Sequence, residues 1–394
     1  MGIRSTNPTQ SFSDEQNVRS VGNAFSAFTD IFSKTGNDAV SAPHPGGPAI
    51  ATGGVKFKVP TAAAPVPTGG GYVYHFFTDT STPAPFELTY GDSVHVLIIA
   101  GGGRGTRAGG GAGGIAHVTS LPTGIPLGGG GNSFTATISV GEGKSPTSGT
   151  PPSRGGNSTF VCAPPADPST PITITALGGG NGGGGDGSPG GSGGGGGWPG
   201  NAPGFSSPGA AAGLHQQQNQ NPGFAAAFPN ATLTPYGNPG GPNIPGHPSS
   251  SSQGRGGGGA GEDSPGSFGQ GGAGQPFTIV PGPVLYPHMP SPLQTTLGTA
   301  WRDALGPTGL MGGGGGGGLA HGYGTVPSDP ERQRIGGPGG GGKGGYQDPP
   351  NFDGPDNPAE PGVNYTGGGG GGAGTSNPLG NGGHGIVIVY YYEG

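Results

Sequence analysis

The sequence predicts a mainly β protein with extensive non-regular structure. It should have a β-sandwich-like base, packed polyglycine-II helices bearing long loops, and one short N-terminal helix. Three observations predict this. Short β-branched and aromatic runs, most of them bounded by Gly, Pro, Asp or Asn, cluster between residues 72 and 176. A further apolar run, Ile386-Val387-Ile388-Val389-Tyr390-Tyr391-Tyr392, follows far downstream. The chain between them is dominated by glycine, with 100 Gly and 46 Pro among 394 residues.

Residues 1–35 read as an N-terminal arm. Within it Val18, Val21, Phe25, Phe28, Ile31 and Phe32 recur at helical spacing, and Ser13 before Asp14-Glu15-Gln16 suits an N-cap and first turn. The apolar stripe either packs back on the body or docks on another chain or particle. Residues 36–70 read as a Pro/Gly-rich linker, and residues 71–177 as the β-strand base. Its expected strands are 72–77, 86–90, 94–100, 115–120, 134–140, 158–161 and 172–176. Val94 to Ile99 is largely apolar on both faces and predicts a buried central strand. The closing segment 386–394 has the same texture, so the two are expected to share one sheet, with residues 178–385 looped out from a common base.

The looped-out region alternates in texture. Glycine tracts at 178–197, 256–261, 269–274, 312–318, 336–345 and 367–374, and an earlier one at 101–114, are separated by Pro-, Asn-, Gln- and Ser-rich inserts at 198–248, 275–310, 320–334 and 346–366. Collagen-type spacing is absent, since 182–185 and 193–197 are consecutive glycines. Consecutive glycines permit another arrangement: three-residue helices whose backbones bond to one another directly, because no Cβ holds them apart. Ordering glycine is entropically expensive, so dense bonding between helices must offset the cost. Arg104, Asn181, Asp186 and Lys343 should then mark solvent-facing positions. Flexible linkers are the competing reading of the same tracts.

Composition removes several function classes. A net charge of −6 with 14 scattered basic residues opposes nucleic-acid binding. A single cysteine, Cys162, excludes an intramolecular disulfide framework. Residues 1–16 have no apolar signal region and no run has the length of a membrane span, so a soluble protein without membrane insertion is expected. Gly103-Arg104-Gly105-Thr106-Arg107-Ala108 matches a dinucleotide fingerprint, but GGGAGG follows where a helix is required. Gly143-Lys144-Ser145 lacks the upstream glycine of a phosphate loop. The nine histidines lie far apart in sequence, so no metal or other cofactor is expected. No carboxylate pair is placed by spacing, and the chain is not read as an enzyme.

From Tyr72 onward the order of features resembles the glycine-rich domain of bacteriophage tail fibres. The residues that carry it are YHFF (74–77), VHVLIIAGGG (94–103), GGAGG (110–114), ISVGEGK (138–144), GGNSTF (155–160), ITALGGGNGGGG (174–185) and GNGGHGIVIVYY (380–391). The chain is similar, more loosely, to phage receptor-binding adhesins in which polyglycine-II helices stack and variable loops contact the host receptor. The resemblance implies a virion location on a tail fibre or other surface appendage, after synthesis in a host cytoplasm. It implies partners among other virion proteins through the N-terminal region, a host-surface protein or glycan as receptor, and a homo-oligomer such as a trimer. A purely structural virion component is the alternative. Aromatic rings among adaptable amides suit a binding surface. Trp198, Phe224, Phe228, Tyr236, Tyr286, Trp301 and Tyr346 are therefore expected to present exposed rings to the receptor, or else to pin the loops as small satellite cores.

Overall fold

Alternation of apolar and polar side chains places the strands, and the direction of each side chain then decides what covers them. The computed structural model describes residues 50–60, 70–125, 133–145, 154–165, 167–184, 186–197, 221–241, 254–265, 269–319, 334–345, 358–373 and 378–393. The predicted arm helix bearing Val18, Val21, Phe25, Phe28, Ile31 and Phe32 lies outside the described residues. So do Trp198 and Tyr346.

Two antiparallel sheets face each other. The strands are β1 (Ile50–Thr52), β2 (Val55–Pro60), β3 (Gly71–Phe77), β4 (Ala84–Tyr90), β5 (Ser93–Ile99), β6 (Ile115–Pro122), β7 (Phe134–Ser139), β8 (Ser158–Cys162), β9 (Ile172–Ala176), β10 (Thr232–Tyr236), β11 (Gln275–Pro276), β12 (Leu310–Met311) and β13 (Ile386–Glu393). One sheet runs β1-β4-β7-β8-β9 and the other β10-β6-β5-β13-β3-β2. The two apolar segments expected to meet are direct neighbours: Ile386 pairs with Ile99 and Tyr390 with His95, antiparallel. On its other side β13 pairs with β3, from Val387 opposite Phe77 to Glu393 opposite Gly71.

Two expected boundaries are corrected. The segment 36–70 is not all linker, because residues 50–60 form β1 and β2. Val55-Lys56-Phe57-Lys58-Val59 alternates with period two, burying Phe57 and Val59 and leaving both lysines less covered. Lys58 closes an ion pair with Glu393 at 2.8 Å. The glycine scaffold likewise contributes a strand to the base, since β10 pairs along β6. As an edge strand it tolerates Pro235.

Each face of the six-stranded sheet has its own core. Val73, Val96, Ile98, Val118, Val387 and Val389 face Phe86, Leu88, Ile138, Phe160 and Ile174 of the five-stranded sheet. On the opposite face lie Phe57, Tyr74, Phe76, Leu97, Ile99, Ile388 and Tyr390. They are covered by a helical cap built from 277–309, whose neck is the β11–β12 pair. The main helix of the cap, Ser291–Leu305, is interrupted at Gly298 (φ +73°) and buries Leu293, Leu297, Trp301 and Leu305.

The glycine tracts leave the ends of these strands and form a hydrogen-bonded array. Segment 107–114 shows its principle. Gly109 and Ala112 donate to Arg255 and Gly258, Gly110 and Gly113 to Gly370 and Gly367, and Gly111 and Gly114 to Gly180 and Leu177. Its carbonyls accept in the same rhythm: Gly111 and Gly114 from Gly103 and Ala100, Gly109 and Ala112 from Gly195 and Ser192, Arg107 and Gly110 from Gly318 and Gly315. Every third residue meets the same neighbour, as a three-residue helix without internal hydrogen bonds requires. The central segment thus touches six others, five antiparallel and one, 254–260, parallel. The tracts are ordered polyglycine-II-type helices in near-hexagonal packing. Asp186 and Lys343 face solvent as expected, whereas Arg104 and Asn181 are half-buried, the Asn181 Oδ1 accepting from the Arg104 amide at 3.1 Å.

A Cβ has no room in this array. On Gly110 it would strike the Gly103 carbonyl oxygen, and on Gly315 that of Gly370. Both obstacles are backbone, which a rotamer change cannot move. Gly184 is exposed and a Cβ there meets nothing within 4 Å. Gly110→Ala or Gly315→Ala should therefore cost about 3 kcal/mol or more, whereas Gly184→Ala should change stability by less than about 1 kcal/mol, on the stabilising side. Denaturant unfolding of the three variants checks the contrast. In hydrogen exchange the amides of Gly110, Gly111 and Gly315 should open only with the whole array.

Candidate functional site

Chain direction along the tracts separates two ends of the array. Segment 100–106 runs away from the sheets and 107–114 runs back, so residues 106–107 mark the remote end. A layer of hydrogen bonds gathers there. Gly254 donates to Gly318, Gly318 to Arg107, Ala373 to Thr106, Leu319 to Gly345, Gly345 to Gly372, Gly196 to Gly241 and Gly317 to Gly269. These residues flank the undescribed segments 198–220, 242–253, 266–268, 320–333, 346–357 and 374–377. Both ends of 242–253, 266–268, 320–333, 346–357 and 374–377 therefore lie at one end of the array, whereas 198–220 leaves from that end and returns beside β9, where the Asn221 Oδ1 accepts from the Thr175 amide at 2.7 Å. At the sheet-facing end the same tracts reverse through short turns, such as 364–367, where Tyr365 takes a left-handed φ of +63°.

Sequence reasoning missed this convergence, although a signal was present. The run 336–345 is not one helix but two short arms, 334–338 and 339–345, just as 101–114 divides into 100–106 and 107–114. Tracts that reverse through short turns at the sheets return to the remote end, which is where the segments between them leave, the cap 277–309 excepted.

The expected exposed rings are corrected for three of seven positions. Phe224 and Phe228 are 3% and 0% exposed and belong to the core between the sheets. The short helix Phe224–Ala227 sits against β9 and β10 and closes the gap between those two edge strands. Trp301 is 0% exposed, meets Phe76 edge-on at 5.9 Å and donates its Nε1 hydrogen to the Tyr365 carbonyl at 3.0 Å. Each large ring was drawn inward because covering it outweighs displaying it. Tyr236 and Tyr286 stay half-exposed. The Tyr236 ring meets Phe277 at 5.6 Å, and the Tyr286 hydroxyl donates to the Gln294 carbonyl beneath the Arg302 guanidinium. None of these rings lies in the remote hydrogen-bonded layer.

The discarded nucleotide motifs fit this geometry. The Gly103 and Gly105 amides are engaged by Gly111 and Gly380, and the Lys144 amide by Gly102, so none is free to cradle a phosphate. Among the described residues no three His, Cys, Asp or Glu side chains converge as metal ligands, and no helix is long and apolar enough to cross a membrane. Burial pushes the Cys162 thiol up to about 12, leaving it protonated at neutral pH.

His75 and His117 are held by the six-stranded sheet from opposite faces. His75 is fully buried, its Nδ1 at 2.7 Å from the Gly53 carbonyl and its Nε2 at 3.2 Å from the Tyr391 hydroxyl. His117 Nε2 lies 2.9 Å from the Tyr390 hydroxyl. Burial pulls both imidazoles from 6.5 down to about 4.

Comparison with known proteins gives one match: a family model described as a glycine-rich domain covers residues 78–392. No curated protein and no solved structure matches.

Two outcomes follow from these placements. The unfolded chain takes up protons on His75 and His117 near 6.5 and the folded chain only near 4. Their contribution to stability should be complete above about pH 6.5 and lost as pH falls towards about 4. His75→Gln should flatten that slope in unfolding curves across this window. Trp301→Ala should cost roughly 3–5 kcal/mol, a loss that thermal unfolding would detect and that a ring displayed to solvent would not produce.

Proposed function

The chain belongs to the glycine-rich domain family, and we propose that it is a bacteriophage virion protein, a tail-fibre or receptor-binding adhesin whose inserts contact the host surface. The observation that carries this reading is that six undescribed segments leave the array at the end remote from the sheets. A rigid backbone lattice with variable-texture loops at one end is a display architecture, and binding residues concentrate on loops held by rigid scaffolds. Loop closure entropy grows slowly with length, so inserts at such roots can change without disturbing the lattice. In this reading the protein sits on the virion as part of a surface appendage. The N-terminal region joins it to other virion proteins, and a trimeric or other homo-oligomeric assembly presents the loops to a protein or glycan receptor.

One observation favours a second reading, a fibre shaft, decoration or adaptor protein without receptor contact. Phe224, Phe228 and Trp301 are committed to the core, which removes part of the aromatic surface a receptor site would use.

Adsorption competition separates the two. Purified full-length protein should block phage adsorption to host cells. A variant with 242–253 and 320–333 replaced by short Gly/Ser loops should keep its unfolding midpoint and lose the block. No competition by the intact protein, or undiminished competition by the shortened one, would overturn the adhesin reading.

A further inference from the structure

Arg255 sits beside the last described residue of the neighbouring segment 237–241. It lies in the tract 254–260 on the face that, three residues further on at Gly258, meets the carbonyls of Asn238 and Pro239. A Cβ placed on Gly241 would come to 3.3 Å from Arg255 Cβ and 2.7 Å from Ser264 Oγ, so the arginine leaves the array beside the last described residue of 237–241. The Ser264 hydroxyl is turned away, donating to the Gln270 carbonyl at 2.7 Å.

The guanidinium side chain is 5% exposed, and its Nε has no hydrogen-bond partner. The ion pairs Lys58–Glu393 and Arg302–Asp303 do not involve it. Glu262 and Asp263, the acids nearest in sequence, are exposed. Burial alone pulls the Arg255 guanidinium down, with no carboxylate raising it again. Arginine presents a fork of N–H donors and no acceptor, and a buried one without a counter-charge is strongly disfavoured. Arg104 also has a buried Nε without a partner, but that side chain is half-exposed and water reaches the rest of its fork.

We propose that the Arg255 guanidinium anchors an oxyanion site near the insert-bearing end of the array, taking a carboxylate, sulfate or phosphate group in the bidentate manner that suits its fork. The group arrives either as a free inorganic ion or on an acidic saccharide. The site is independent of the adhesin reading, since it requires only an oxyanion and no cell surface.

Thermal unfolding of the full chain at constant ionic strength in chloride tests it, with sulfate, inorganic phosphate or glucuronate replacing chloride up to about 10 mM. The wild-type midpoint should rise saturably, and the rise should be absent in R255M and R255Q. In R255K, which keeps the charge but not the fork, half-saturation should need at least about tenfold more anion. Without oxyanion R255M should be as stable as wild type or more so. A response to glucuronate at lower concentration than sulfate and phosphate identifies a saccharide-borne group, and equal responses identify the free ion. An equal rise in wild type and variants would reveal general salting and overturn the site. So would no rise in wild type, or a loss of stability in R255M in chloride, which would mean the guanidinium is already paired within the protein.

Discussion

Direct N–H···O=C bonding between glycine backbones, possible only where no Cβ intervenes, is the constraint on which the rest of the structure depends. An isolated three-residue helix has no internal hydrogen bonds to hold it, and glycine loses more conformational freedom on ordering than any other residue. The segments are stable only as a set. Segment 107–114 donates to three neighbours and accepts from three others, and 312–318 and 367–373 are similarly surrounded. Removing a buried donor from its acceptor costs more than the net gain of making the bond. Each helix is therefore held by the penalty its neighbours would incur without it. Such an array resists local opening and has little capacity to absorb an error at its centre.

The sheets give the array its register. Strand β5 runs directly into 100–106 and 107–114 directly into β6, while β7, β8, β9, β10 and β13 each adjoin a tract at their array-facing ends. Strand pairing fixes where each tract begins, and a polyglycine helix has no side chains with which to set its own phase. Apolar side chains and bare backbone thus divide the work. Val, Ile and Phe specify the base through two cores, and glycine extends that specification outward. The seam between them is marked by small residues, with Ala100, Ala112 and Ala260 all buried near it. The Trp301 to Tyr365 bond ties the helical cap to a reversal of the array, so cap and array stabilise each other's position.

Much of this was legible in the residues. The strand positions followed from β-branched and aromatic runs, and the adjacency of Val94–Ile99 and Ile386–Tyr390 followed from their shared lack of a polar face. Strands β1 and β2 were hidden because two lysines alternate with Val55, Phe57 and Val59 in a stretch otherwise rich in Pro and Gly. The helical cap was hidden because Ser291–Leu305 holds Gly298 and opens among prolines, so propensity alone argues against it. Its formation is a tertiary effect: the outer face of the six-stranded sheet is as apolar as the inner one and must be covered. The candidate rings were misplaced for a related reason. A Trp or Phe in a polar insert looks exposed until the sheet that claims it is known. At the insert-bearing end, no local sequence pattern states which way a glycine tract points, and the convergence of roots emerges only when the directions are assembled.

The position of β13 between β3 and β5 bears on how the protein is made. This strand is translated after every glycine tract, yet it fills the middle of the sheet that sets their register. Until it leaves the ribosome, β3 and β5 have a gap between them, and both the cores and the array lack their common support. Its contacts span some three hundred residues of sequence, which makes assembly late and topologically slow. A nascent chain interrupted anywhere before residue 386 cannot reach a near-native state. The array can therefore settle only after its last tract and this strand have both emerged, and until then its segments stay open to wrong pairings.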